Sequence, residues 1–157
     1  MRILGIDPGT GILGFGVIEV SAKNKAQLVD AGVIRTPVKE DDAVRLRTIY
    51  EELQDIVTNT KPQIMAVEKL FFAQNVTTAM TVAQARGVVL LIGQQNGLEL
   101  HEYTPQQIKQ AITGYGKADK KQMQEMVRVI LGLKETPKPD DCADALATAL
   151  CHAQSVR

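Results

Sequence analysis

Apolar residues fall in short clustered runs in some parts of this chain and at helical spacing in others. Arg2–Ile6 reads as a short buried strand, and Gly14–Val20 as a second, reached through a tight glycine-rich turn. Gln27–Arg35 is a third, after the polar turn at 21–25. Such short connections predict an antiparallel meander. From Asp42 to Asn59, Val44, Leu46, Ile49, Leu53, Ile56 and Val57 recur at helical period, with acids in the first turn. Pro62 then precedes a strand at Gln63–Glu68, a long helix runs from about Asn75 to Gln95, and Leu98–Tyr103 is the fifth strand. Thr104-Pro105-Gln106-Gln107 starts a helix: Thr104 caps it, Pro105 suits the first helical position and Gln107 completes a capping box. Asp119 with Gln122 repeats that logic for a helix ending near Leu131-Gly132. Pro137 and Pro139 break the chain before a last helix, Asp140 to about Ala153.

The order βββαβαβααα predicts an α/β fold: a mixed five-stranded sheet, three antiparallel strands followed by parallel crossovers, flanked by helices. No repeat, low-complexity tract or linker interrupts the chain, so residues 1–157 read as one domain. If the first and fourth strands are neighbours, Asp7 and Glu68 end side by side, and the last helix can lay Asp141 and Asp144 beside them. Residues at i and i+3 share a helix face, so both carboxylates can point to one place.

Composition changes this picture little. The chain has 18 basic and 18 acidic residues, a zero net charge that by itself argues mildly against nucleic-acid binding. The charges are uneven, however: between His101 and Pro139 seven basic residues face four acidic ones, so the global figure can hide a basic face. The N-terminus reads directly into a strand rather than a signal peptide, and no apolar run approaches the roughly 20 residues that span a bilayer. The expectation is a cytoplasmic protein without a membrane segment. Cys142 and Cys151 lie about 13 Å apart along one helix, too far for a disulfide, and read as free core thiols of a reducing compartment. The 75–95 helix is apolar on more than one face towards its C-terminal half, through Val88, Val89, Leu90, Leu91 and Ile92, which suits a dimer interface as well as a core.

The candidate chemistry lies in four acids. Asp7 ends the apolar run Ile3-Leu4-Gly5-Ile6 and precedes Pro8-Gly9-Thr10-Gly11; Glu68 ends Ile64-Met65-Ala66-Val67; Asp141 and Asp144 open a small-residue helix. Buried carboxylates are costly unless paired, protonated or metal-bound, and no matching set of Arg or Lys flanks these in sequence. Four together form an oxygen-rich site for Mg²⁺ or Mn²⁺, the donor set of two-metal phosphoryl transfer. The i, i+3 spacing back from Asp144 selects Asp141, which leaves the adjacent Asp140 to cap the helix.

These residues resemble the RuvC Holliday-junction resolvases. The resemblance is carried in order along almost the whole chain by Gly5-Ile-Asp-Pro-Gly, Val67-Glu68-Lys69-Leu70-Phe71-Phe72-Ala73-Gln74-Asn75, Gln84-Ala85-Arg86-Gly87 and Ala143-Asp144-Ala145-Leu146-Ala147. It implies an RNase H-like fold and a homodimer that resolves four-way DNA junctions by symmetric, Mg²⁺-dependent nicks during recombination and repair. It also implies work beside the RuvA–RuvB branch-migration motor. On it, Asp7, Glu68, Asp141 and Asp144 are the metal-binding catalytic carboxylates, with some family members carrying histidine at the Asp141 position. About two Mg²⁺ ions per site are implied, replaceable by Mn²⁺. Lys109 and Lys120 match basic family positions that contact phosphates, with Lys117 and Lys121 as further DNA contacts of the same type. Phe71 matches a position that lies against bases at the junction centre, while Phe72 reads as packing. His101 and His152 have no catalytic partner in this reading. An actin- or hexokinase-type phosphotransferase shares the strand–Asp–x–Gly–Thr–Gly turn but needs two such domains. A related nuclease acting on RNA and a non-catalytic junction-binding module are the remaining alternatives.

Overall fold

The computed structural model describes residues 1–9, 11–69 and 76–156. Phe71, Phe72 and the predicted helix start at Asn75 lie outside them. The strands are β1 (Arg2–Asp7), β2 (Ile12–Val20), β3 (Ala26–Arg35), β4 (Ile64–Glu68) and β5 (Glu99–Tyr103). The helices are α1 (Asp42–Thr60), α2 (Val76–Gln95), α3 (Pro105–Thr113), α4 (Lys120–Leu131) and α5 (Asp140–Ser155). The sheet order is β3-β2-β1-β4-β5. β1–β2 and β2–β3 pair antiparallel, while β1–β4 and β4–β5 are parallel. The mixed five-stranded sheet is therefore present as predicted, with the first and fourth strands in contact.

Side chains alternate across the sheet, and each face has its own core. Ile3, Ile18, Ile64 and Ala66 pack with Leu146 and Leu150 of α5 and with Ile108 of α3. Leu4, Ile6, Met65 and Val67 pack on the opposite face with Leu53 of α1 and with Val89 and Ile92 of α2. By this alternation Asp7, after Gly5, points to the α5 face. Helix α5 lies directly on strand backbone. A Cβ at Gly5 would come within 2.0 Å of the Ala145 carbonyl oxygen, and one at Gly14 within 2.1 Å of the Asp141 oxygen. The Ala145 and Ala149 positions let the helix approach this closely, and its first turn is thereby set over the ends of β1 and β2.

Both capping boxes form. Thr104 Oγ1 accepts from the Gln107 amide (3.1 Å) and Gln107 Oε1 from the Thr104 amide (2.8 Å). Asp119 and Gln122 do the same at 2.8 and 2.9 Å. Gly114 and Gly132 close the two helices in the left-handed region. Asp140 does not cap. The residue before α5 is Pro139, without a side-chain cap, and Asp140 is helical, accepting from Gln124 Nε2 at 3.0 Å.

Helix α2 corrects another expectation: its 20 residues are long and apolar enough, by length and composition, to cross a membrane. Its apolar residues are interrupted in sequence by Thr, Gln and Arg, which is why no continuous run shows it. Ala79, Ala85, Val89, Ile92 and Gly93 are buried against the protein, and Arg86 pairs with Glu102 of β5 at 2.5 Å. A charge at mid-helix is expensive in lipid, and this one is paired within the fold through its terminal nitrogen, although its Nε is buried without a partner among the described residues. Met80 and Leu91 stay exposed on the outer face.

Candidate active site

The parallel β1–β4 register (Ile6 beside Val67) carries Asp7 and Glu68 off the same edge of the sheet. Alternation turns both towards α5, whose first turns supply Asp141 and Asp144. The four predicted acids therefore share one electrostatic site. Burial pushes the Asp7 carboxyl up to about 8, helped by the charges of Glu68, Asp144 and Asp141 and by a proton bridging to Glu68. Burial also raises Glu68; the bridge to Asp7 pulls it down, Asp144 raises it, and Lys109 and Lys120 lower it. Asp144 rises because burial outweighs the attraction of Lys120. Asp7 is the innermost of the set, and Asp141 acts on it least.

Two of the four predicted lysines reach this site. Lys109 of α3 and Lys120 of α4 line a cleft of about 290 Å³ together with Glu68 and Asp144. Lys120 Nζ lies 3.3 Å from Asp140 Oδ2 and 3.7 Å from Asp144 Oδ2. Burial opposes its charge, but Asp144 and Asp140 more than compensate and raise its pKa. Lys117 and Lys121 are exposed elsewhere; Lys121 borders a separate groove beside Tyr115 and Glu125. His152 serves the core: its Nδ1 is 2.7 Å from the Tyr103 hydroxyl and its ring stacks near His101, 4.3 Å between centroids. Cys142 and Cys151 are free and buried, as predicted.

Among the described residues, no three His, Cys, Asp or Glu side chains already converge around one metal position. The donor chemistry nonetheless fits a small hard cation. Mg²⁺ is commonly held by one or two carboxylates with waters and substrate phosphates rather than by an all-protein cage. Burial first, and the surrounding acids after it, keep a proton on Asp7 up to about pH 8, and a cation held there would compete with that proton.

The proton has a consequence for stability. Asp7 titrates near 3.8 when unfolded and near 8 when folded. Its contribution is complete below about pH 4 and is lost as the pH rises through about 8. In EDTA, the melting temperature of Asp7→Asn should exceed that of the wild type by a margin that widens from about pH 4 to about pH 8. Added divalent metal should stabilise the wild type selectively. A margin that does not change with pH would remove the buried-proton account.

Residues 3–152 match the family model for crossover junction endodeoxyribonuclease RuvC. The chain belongs to the RuvC family. It is 55% identical over 156 residues to the crossover junction endodeoxyribonuclease RuvC of Heliobacterium modesticaldum, covering 99% of this chain and 96% of that one. It is 53% identical to the RuvC of Pseudothermotoga lettingae, covering 97% and 93%. Thermus thermophilus RuvC, solved in complex with Holliday junction substrate, superposes with a TM-score of 0.94 at 40% identity, covering 100% of this chain and 95% of that one. The fold is thus the RNase H-like one of the RuvC structures.

Proposed function

We propose that this chain is a divalent-metal-dependent endonuclease that resolves four-way DNA junctions, acting as a homodimer that nicks two strands symmetrically. The observation that carries the reading is the buried carboxyl of Asp7. It feels the charges of Glu68, Asp144 and Asp141, and Glu68 and Asp144 line a cleft with Lys109 and Lys120, in a RuvC-family chain. Asp7, Glu68, Asp144 and Asp141 would hold Mg²⁺, with Mn²⁺ as a substitute, and the family supports two ions per site. Bound there, such ions supply Lewis acidity and lower the pKa of an attacking water. The chain's own residues do the rest. Asp7 would hold a cation as a carboxylate, its proton passing to solvent, and would anchor the site from its buried end. Lys120, 3.7 Å from Asp144, would have its ammonium available to a phosphate oxygen if that carboxylate held a metal instead. Lys109, which lines the same cleft, would hold the same strand.

The exposed Met80 and Leu91 on the outer face of α2 support a dimer through that helix, and a two-fold dimer matches the approximate two-fold symmetry of a junction. A RuvA–RuvB-type motor is the partner that the family supports, and the buried free thiols agree with a reducing cytoplasm. The test is cleavage of a synthetic four-way junction with movable homology, against linear duplex and RNA–DNA hybrid, in Mg²⁺, Mn²⁺ or EDTA. Paired, metal-dependent nicks in the junction alone are expected. Cutting of the hybrid instead would replace the substrate while keeping the site.

A further inference from the structure

The described arginines divide sharply by partner. Arg2 pairs with Glu19, Arg47 with Glu51, Arg86 with Glu102 and Arg128 with Glu125. Arg35 is exposed to solvent. Arg45, in the first turns of α1, is half-buried, and no carboxylate lies within ion-pair distance of it among the described residues. Even Asp42, which borders the same cavity, forms no ion pair with it. A partly screened guanidinium that has no carboxylate partner keeps its terminal nitrogens available to an incoming anion.

The geometry around Arg45 shows what kind of anion fits. Its Nε donates to Thr36 Oγ1 at 3.1 Å, which fixes the plane of the guanidinium. Its terminal nitrogens make no hydrogen bond among the described residues, and one of them lies 3.4 Å from where a Cβ of Gly11 would stand. Gly11 has φ +78 and, lacking a side chain, lets its backbone lie close beside the arginine. The cavity there, about 20 Å³, is lined by Gly9, Gly11, Thr36, Arg45, Thr81 and Gln84. It has room for an oxygen atom or two and none for a base. Its lining offers the arginine fork and a glutamine amide, donors that suit a phosphate oxygen, while the Thr81 hydroxyl already donates to the Thr77 carbonyl at 3.1 Å and Asp42 lies at the rim. Gly9 and Gly11 follow Asp7 closely in the chain, so the cavity lies at the same edge of the sheet as the carboxylates, on the face covered by α1 and α2 rather than α5.

We propose that Arg45, with Gly9, Gly11 and Gln84, is a second phosphodiester-binding subsite. It holds a phosphate of the cleaved strand next to the one at the carboxylates, as that strand crosses the sheet edge. This rests on the nucleic-acid reading above. A phosphate held on each side of Asp7 fixes the direction of the strand relative to the metal ligands, which a single contact cannot do.

The experiment measures junction binding and cleavage against salt for the wild type, Arg45→Gln, Arg45→Lys and the exposed control Arg47→Gln. It uses synthetic junctions with single neutral methylphosphonates placed along the scissile strand. Arg45→Gln should bind about tenfold more weakly, with a salt slope lower by about one. At one or two positions beside the scissile phosphate, the methylphosphonate should weaken the wild type but have no further effect on Arg45→Gln. Arg45→Lys should recover part of the slope, and Arg47→Gln should behave as wild type. Melting curves identify any variant that is merely unfolded; Arg45→Lys, which keeps the charge, then carries the comparison through its own methylphosphonate profile. Wild-type slope and wild-type methylphosphonate sensitivity in folded Arg45→Gln would overturn the subsite while leaving the nuclease intact. Failure of the wild type to bind any junction would overturn the nucleic-acid reading and the subsite with it.

Discussion

Asp7→Asn should abolish junction cleavage while leaving junction binding intact. Asparagine keeps the shape of the side chain and can still hydrogen-bond to Glu68, so the packing around β1 is undisturbed. It removes the one carboxylate that burial and three neighbouring acids hold near pKa 8. That charge is absent from the metal-free protein at neutral pH and is needed only once a cation enters. The variant should therefore fold at least as well as the wild type and fail only in the chemistry. Loss of a ligand that stabilises developing charge by several kcal/mol predicts a fall in cleavage rate of about a thousandfold or more. Single-turnover cleavage with saturating enzyme reads the rate, and a gel-shift titration in Ca²⁺ or EDTA reads binding. Cleavage near the wild-type rate would remove Asp7 from the metal site. Equal loss of cleavage and binding would assign it to DNA contact instead. Glu68→Gln should resemble it, whereas Asp141→Asn should cost less, because Asp141 acts least on the buried carboxyl.

Much of this site was legible because its positions follow from connection lengths. Short turns forced the β1–β2–β3 meander, and the helical connection before β4 made a parallel neighbour of β1 reasonable. From those two steps Asp7 and Glu68 meet. The i, i+3 spacing of Asp141 and Asp144 did the same for α5. What escaped depended on contacts between helices that no local pattern records. Asp140 looked like a cap because it precedes a helix. In the fold, Lys120 and Gln124 of α4 reach it, and Pro139 occupies the cap position. Lys120 and Lys121 are indistinguishable by charge, yet consecutive helical residues point about 100° apart, and only Lys120 faces the acids. Arg45 sits in an unremarkable amphipathic helix, and its lack of a carboxylate partner is visible only when α1, Gly9, Gly11 and α2 are assembled. Helix α2 escaped in the opposite sense: Thr, Gln and Arg hide an apolar content that matters for what covers its outer face.

Gly5→Ala should be among the most damaging single-methyl additions in the chain. Gly5 lies in the middle of β1, opposite Gly16 of β2 and beside Ala66 of β4, so the strand cannot move aside without disturbing two ladders. A Cβ there would stand 2.0 Å from the Ala145 oxygen, 2.8 Å from the Ala149 nitrogen and 3.0 Å from the Ala149 Cβ. Two of the three obstacles are backbone, which has no rotamer to escape into. The helix must therefore lift from the sheet, which opens the core formed by Leu146 and Leu150. Overpacking of this kind costs about 3 kcal/mol or more, equivalent to a melting temperature lower by roughly 10 °C for a chain of this size. Ala149→Gly should not rescue it, because that change removes the smallest of the three clashes and leaves both backbone atoms in place. Gly87→Ala on α2, where a Cβ meets nothing within 4 Å, should instead stabilise the helix by about 0.5–1 kcal/mol. The same displacement carries to function: α5 bears Asp141 and Asp144, so folded Gly5→Ala should lose cleavage at temperatures where its melting curve shows it intact. Melting near the wild-type temperature would mean that α5 does not rest on β1 backbone, and the placement of its two acids over the strand ends would have to be redrawn.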